Sequence, residues 1–170
     1  MEDLEERLKE RIRVQVKQVI ADCNLDPQEF QILKDEITKT ETRRFYLHHF
    51  AAVSRTQERF NIKTAARYVG SDRTNFKRKV RTDGFDINEL MEASHEITDI
   101  EISDSTIEKG MDYFHKEILV PSIMSPYLNS LLEKNDFNIS AATREYGMDR
   151  TNFRRLLKQY GLSSRENAED

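Results

Sequence analysis

Leu4, Leu8, Ile12, Val16 and Val19 recur at steps of four, four, four and three, which predicts an amphipathic helix over residues 2–21. Asp26-Pro27 is a helix-start signal, because the N–H that proline lacks is not needed at the first helical position. The helix it opens carries Phe30, Leu33 and Ile37, and a third helix over 43–57 carries Phe45, Leu47, Phe50 and Val53. Further on, Asp86 caps a helix running through Leu90 to His95, and residues 97–103 read as an acidic connector. A helix starting at Asp104 or Ser105 carries Ile107, Met111, Phe114 and Ile118. Pro121 and Pro126 bend or restart it before Tyr127, Leu128, Leu131 and Leu132. Helical spacing along most of the chain predicts an all-α protein.

Two segments repeat each other. Residues 60–85, FNIKTAARYVGSDRTNFKRKVRTDGF, align without gaps on residues 137–162, FNISAATREYGMDRTNFRRLLKQYGL, at an offset of 77, with 13 of 26 positions identical. Two copies are too few for a solenoid, which needs at least about three stacked units, so the chain holds a duplicated module. Each copy spells a short helix, a glycine turn and a second helix. Gly70 and Gly147 stand where the first helix ends in a left-handed conformation. Asp72 and Asp149 cap the second, whose apolar stripe is Phe76 and Val80 in one copy and Phe153, Leu156 and Leu157 in the other. A short helix, a turn, and a helix with basic residues near its start form the helix-turn-helix pattern.

Both copies resemble the C-terminal DNA-binding module of the Fis family, which is shared with the NtrC-class regulators. In the second copy the resemblance rests on Asn138, Ala142, Gly147, Arg150, Thr151, Phe153, Arg154, Arg155, Lys158, Tyr160, Gly161 and Leu162. In the first it rests on Asn61, Ala65, Ala66, Gly70, Arg73, Thr74, Phe76, Lys77, Arg78 and Lys79, with Asp83 at the family's tyrosine position. Phe60 and Phe137 stand where the family usually has glycine, and Asp72 and Asp149 where it commonly has serine or asparagine. The resemblance covers about a third of the chain. It implies a dimer formed through helices ahead of the helix-turn-helix.

The net charge of −4 hides an uneven distribution. Residues 60–85 carry +5 and 137–162 carry +3, while 86–117 between them carry −8. A local basic patch attracts polyanions even on an acidic chain. The acidic stretch reads as a solvated face, with shielding of the basic modules or binding of a basic partner as the less favoured alternative. No run approaches the roughly 20 apolar residues of a membrane span, and the acidic N-terminus lacks a signal peptide's features. The expected location is therefore cytoplasmic and nucleoid-associated. Cys23 alone excludes an internal disulfide and a cysteine-based zinc cluster, and reads as a packed small residue. His48 and His49 point about 100° apart on a helix, unlike an i, i+4 metal pair. His95 and His115 have no ligand spacing. There is no phosphate-cradling glycine loop and no nucleophile motif. An enzyme and any cofactor are not expected.

The expected function is that of a bacterial DNA-binding protein, a transcription regulator or nucleoid-type factor, whose second helices enter the major groove. Arg73 and Arg150 are the candidates for guanine, with Asn75 and Asn152 on an adjacent base or phosphate. Lys77, Lys79, Arg78 and Arg81, with Arg154, Arg155 and Lys158, neutralise phosphates. Thr64, Thr74, Ser140 and Thr151 donate hydroxyls to the backbone, and Asn61, Lys63 and Asn138 complete the set. The chain has no room for the AAA+ ATPase domain that accompanies this module in enhancer-binding activators. The expected organisation is an N-terminal dimerisation element over 1–42, modules over 43–95 and 121–162, an acidic connector over 96–120 and a disordered tail over 163–170. Candidate partners are double-stranded DNA, a second copy of the chain, and RNA polymerase or another regulator. The alternative is a protein-interaction adaptor in which one or both modules no longer bind DNA, with RNA binding third.

Overall fold

The computed structural model describes residues 3–162, so the expected disordered tail at 163–170 lies outside the described residues. The described residues form an all-helical structure, with 78% of them in helix and no strand among them. In chain order the helices are α1 (Leu4–Asp22), α2 (Pro27–Thr56), α3 (Ile62–Tyr68), α4 (Arg73–Thr82), α5 (Ile87–Ala93), α6 (Asp104–Lys109), α7 (Met111–Tyr113), α8 (Val120–Lys134), α9 (Ile139–Tyr146) and α10 (Arg150–Gln159). None is long and apolar enough to cross a membrane.

Local chemistry accounts for most boundaries. Asp26 accepts from the Glu29 N–H at 2.8 Å ahead of Pro27, Asp86 accepts from Glu89 at 3.0 Å, and Ser103 accepts from Thr106 at 3.2 Å. Two boundaries differ from expectation. The helices expected around residues 27–37 and 43–57 are one continuous helix of 30 residues, since Thr38 to Thr42 contains no glycine or proline to stop it. Before α8, residues Phe114–Leu119 form a π turn. Pro121 follows one residue later, after Val120, and cannot donate a backbone hydrogen bond; the α-helix resumes at Val120 and continues through both prolines.

The described residues form two compact units, one of 3–8 and 35–119, the other of 9–34 and 120–162. This division differs from the expected one. The N-terminal helices do not stand apart as a separate element, because their apolar positions complete both units. Residues 96–119 are not a connector either, since Ile102, Ile107, Phe114 and Ile118 are buried in the first unit's core. In that unit Phe45 and Phe50 of α2 pack on Phe114 at 4.9 Å and on Phe76 of α4 at 6.0 Å between ring centroids. Ala65, Ala66 and Val80 fill the space around them. In the other unit Phe30 stacks on Tyr127 at 3.7 Å, and a chain of rings runs from Tyr127 through Tyr146 to Phe153. Each unit thus sets a short helix pair, α3–α4 or α9–α10, beside a longer helix.

The N-terminal stripe is covered within the chain: Leu8, Ile12 and Val16 are all buried. A dimer through residues 1–40 therefore loses the wet apolar surface on which that expectation rested. Cys23, expected to be packed, is exposed just beyond the end of α1.

Candidate nucleic-acid interface

Each copy builds its second helix in the same way. Asn61 caps α3 by accepting from the Thr64 N–H at 2.9 Å, and Thr64 Oγ1 accepts from the Asn61 N–H at 3.1 Å, a reciprocal capping box. Asn138 caps α9 by accepting from Ala141 at 3.0 Å. Gly70 and Gly147 then turn the chain at φ +71° and +83°, where a side chain would be strained. Asp72 accepts from the Asn75 N–H at 2.9 Å and Asp149 from the Asn152 N–H at 3.0 Å, starting α4 and α10. These backbone donors hold both carboxyl groups below their ordinary range. Each negative charge sits at the positive end of its helix dipole.

The burial pattern orients α4. Phe76 and Val80 are buried, while Arg73, Thr74, Asn75, Lys77, Lys79 and Arg81 are exposed together with Arg78. At about 100° per residue, Arg73, Lys77, Arg81, Thr74 and Arg78 follow one another over an arc of about 140°. Arg78 stands at its far edge, diametrically opposite the buried stripe. In α10, Phe153 and Leu157 are buried, and Arg150, Arg154, Lys158, Thr151 and Arg155 occupy the same arc, all exposed. The two faces therefore carry four cations each. The larger charge of the first copy comes from other surfaces.

Lys79 is one such residue. It lies on the opposite shoulder of α4 from Lys77, about 160° around the axis, and pairs with Asp83 at 3.4 Å. Asp83 also accepts a 2.5 Å hydrogen bond from Tyr46 Oη, tying the end of α4 to α2. Burial and this carboxylate push the Tyr46 phenol well above its ordinary range.

Several other expected contacts have different surroundings. The Thr64 hydroxyl donates to the Arg59 carbonyl at 2.7 Å, so it serves the helix start. Asn75 and Asn152 donate their side-chain amides to Asp72 and Asp149. Ser140 is exposed on α9. Lys63 and Arg73 come together with Asn61 around a cleft of about 470 Å³, whose other walls are Phe60, Ile62, Asn88 and Met91. The sequence reading missed Asn88 and Met91. Asp86 signalled their helix, but nothing in the sequence showed the direction in which α5 packs.

The ion pairs that the acidic stretch makes with α2 leave the basic face of α4 aside. Glu89 pairs with Arg43 at 2.5 Å, Glu101 with Arg44 at 2.8 Å and Asp104 with Arg55 at 2.6 Å, all on α2. Among the described residues no carboxylate pairs with Arg73, Lys77 or Arg81.

The two adjacent histidines hold the scaffold. His48 Nδ1–H donates to the Arg44 carbonyl at 2.9 Å, and its Nε2 accepts from the Glu101 N–H at 3.4 Å. His49 Nε2–H donates to the Ala65 carbonyl at 2.8 Å, binding α3 to α2, with its ring stacked on Phe50. Burial lowers the His49 pKa to about 4, so it is neutral at physiological pH. His115 Nε2 meets Thr42 Oγ1 at 2.9 Å. Among the described residues no three His, Cys, Asp or Glu side chains are grouped to hold a metal ion. Comparison with protein-family models, curated proteins and solved structures found no match for this chain.

Proposed function

We propose that the chain is a DNA-binding protein of the transcription-regulator or nucleoid type, with two Fis-type helix-turn-helix modules whose second helices, α4 and α10, enter the major groove. The observation that carries this reading is the repeated arc of four exposed cations. It is built twice on a second helix, running from beside the apolar stripe to its far side, while Glu89, Glu101 and Asp104 of the acidic stretch pair with arginines of α2. Arginine and lysine on such a face neutralise phosphates and reach base edges. The threonines among them, Thr74 and Thr151, hydrogen-bond the sugar–phosphate backbone, where contacts set register.

Titration of a labelled random-sequence duplex over a range of salt concentrations tests the proposal. If every cation of one face meets a phosphate, log K falls against log salt with a slope of about −3.6, and engagement of both faces steepens it toward about −7. Binding that is absent or flat in salt overturns the reading and leaves the adaptor alternative.

A further inference from the structure

We infer that Arg78 and Arg155 are the guanine-reading arginines of the two modules, and that Asn75 and Asn152 act through them as positioning residues. The guanine assignment rests on the DNA reading above; the positioning role stands on the geometry of the unbound chain.

In the first module the Asn75 amide donates to the second oxygen of the capping carboxylate of Asp72, and Asn75 Oδ1 accepts from an Arg78 Nη at 2.7 Å. The second module repeats the chain: Asn152 donates to Asp149, and Asn152 Oδ1 accepts from an Arg155 Nη at 3.4 Å. The order of the groups follows from their chemistry. A carboxylate only accepts, so the asparagine must turn its NH₂ toward it, which leaves the carbonyl for the guanidinium one turn further along. Residues at i, i+3 and i+6 stand on successive turns of one side of a helix, so the aspartate that caps the helix also sets the arginine.

Two consequences follow. Asparagine reads adenine through its carbonyl and its NH₂ together, and here both are engaged within the protein. Arginine has five N–H donors, and the one bonded to asparagine leaves others for the two acceptors O6 and N7 of guanine. Arg78 and Arg155 also lie opposite the buried stripe, on the ridge that reaches farthest from the core, whereas Arg73 lies on a shoulder beside the cleft of Phe60 and Met91.

Comparison of the copies supports the same assignment. Asp72/Asp149, Asn75/Asn152 and Arg78/Arg155 are identical, as is Arg73/Arg150, while the two remaining cations of the arc exchange type, Lys77 for Arg154 and Arg81 for Lys158. The comparison thus separates Arg78 from Lys77 and Arg81, and its geometry separates it from Arg73. Neutralising a phosphate requires only charge, which either residue supplies. Holding a planar fork against an amide and a base edge requires arginine.

A double-mutant cycle in the intact chain tests both roles, with a duplex obtained by site selection and the same duplex carrying 7-deazaguanine, which lacks N7. Asn75→Ala is expected to weaken binding roughly two- to tenfold, the effect of losing one pre-ordered side chain. It should leave the salt slope unchanged and cost nothing further in an Arg78→Ala background. Additive losses overturn the positioning role. Arg78→Ala should abolish the preference for guanine over 7-deazaguanine at one position, and a retained preference at every position overturns the guanine assignment. Side-chain ¹⁵N NMR of the chain without DNA supplies an independent readout. The Arg78 guanidinium should be ordered in the parent and averaged in Asn75→Ala, and equal mobility overturns the positioning role. The backbone N–H of residue 75 still reaches Asp72 in this variant. Asn152→Ala with Arg155 repeats the test in the second module should the first fold poorly. A parent chain with no salt-dependent duplex binding overturns the DNA reading and the guanine assignment with it, while the NMR result still decides the positioning role.

Discussion

Lys77 and Lys79 stand two residues apart on one helix, carry the same charge and are both exposed, yet the fold turns them to opposite shoulders of α4. That makes them a matched pair for testing the proposed DNA-facing side of α4. Lys77→Ala removes a cation from the arc shared with Arg73 and Arg81. Losing one phosphate contact reduces the salt slope by about 0.9, which near physiological ionic strength corresponds to roughly fivefold weaker binding, or about 1 kcal/mol. Lys79 is paired with Asp83 at 3.4 Å and lies about 160° away around the axis. Lys79→Ala should therefore leave the slope within about 0.2 of the parent value and the affinity within about twofold. Fluorescence anisotropy with a labelled duplex at four or five salt concentrations measures both quantities for both variants. Equal losses, or a larger loss for Lys79→Ala, would refute the orientation of α4 toward DNA and the equal weight of the two modules that follows from it.

Acid should weaken the first unit through His49. Its folded pKa of about 4 lies below the ordinary value of 6.5, so its contribution is fully present above about pH 6.5 and is lost as pH falls toward 4. The full effect is about 3 kcal/mol, with about 2 kcal/mol lost by pH 5. Denaturant unfolding at pH 7.5 and pH 5 should show that loss in the parent and a much smaller one in His49→Phe; an identical loss in both would exclude His49 as its source. Ile12→Ala should destabilise the chain by about 2–5 kcal/mol with an unfolding midpoint independent of protein concentration, because Ile12 is fully buried within one chain. A midpoint that shifts with concentration would return the stripe to a dimer interface. Gly147→Ala places a side chain at φ +83° and should cost about 1–2 kcal/mol by thermal unfolding. An unchanged midpoint would show that the turn relaxes.

The glycine turns, the capping aspartates and the basic second helices were legible because they are local: a cap, a left-handed residue and an apolar step of four are decided within a few residues. The exposure of Arg73, Lys77, Arg81, Arg150, Arg154 and Lys158 agrees with the sequence reading for the same reason. Asn75 and Asn152 were harder to assign. An asparagine beside two arginines on a recognition-type helix reads as a base contact, and only side-chain geometry shows its amide held by the capping carboxylate. Lys79 was likewise counted with the basic face. Its direction depends on which side of α4 is buried and on Asp83 being fixed by Tyr46, 37 residues earlier.

By itself the sequence determined the helical class, the duplication and the internal design of each helix pair, all of which follow from spacings of three, four and 77 residues. The tertiary structure decided which of these surfaces are buried, paired or exposed. It divided α1 and α2 between two compact units and buried the stripe of Leu8, Ile12 and Val16 that had pointed to a partner. It drew Ile107, Phe114 and Ile118 out of a supposed connector into a core, and spent Glu89, Glu101 and Asp104 on the arginines of α2. An apolar stripe or a run of charge specifies that something must cover or solvate it. Which residue does so depends on where distant segments meet, and no local spacing records that.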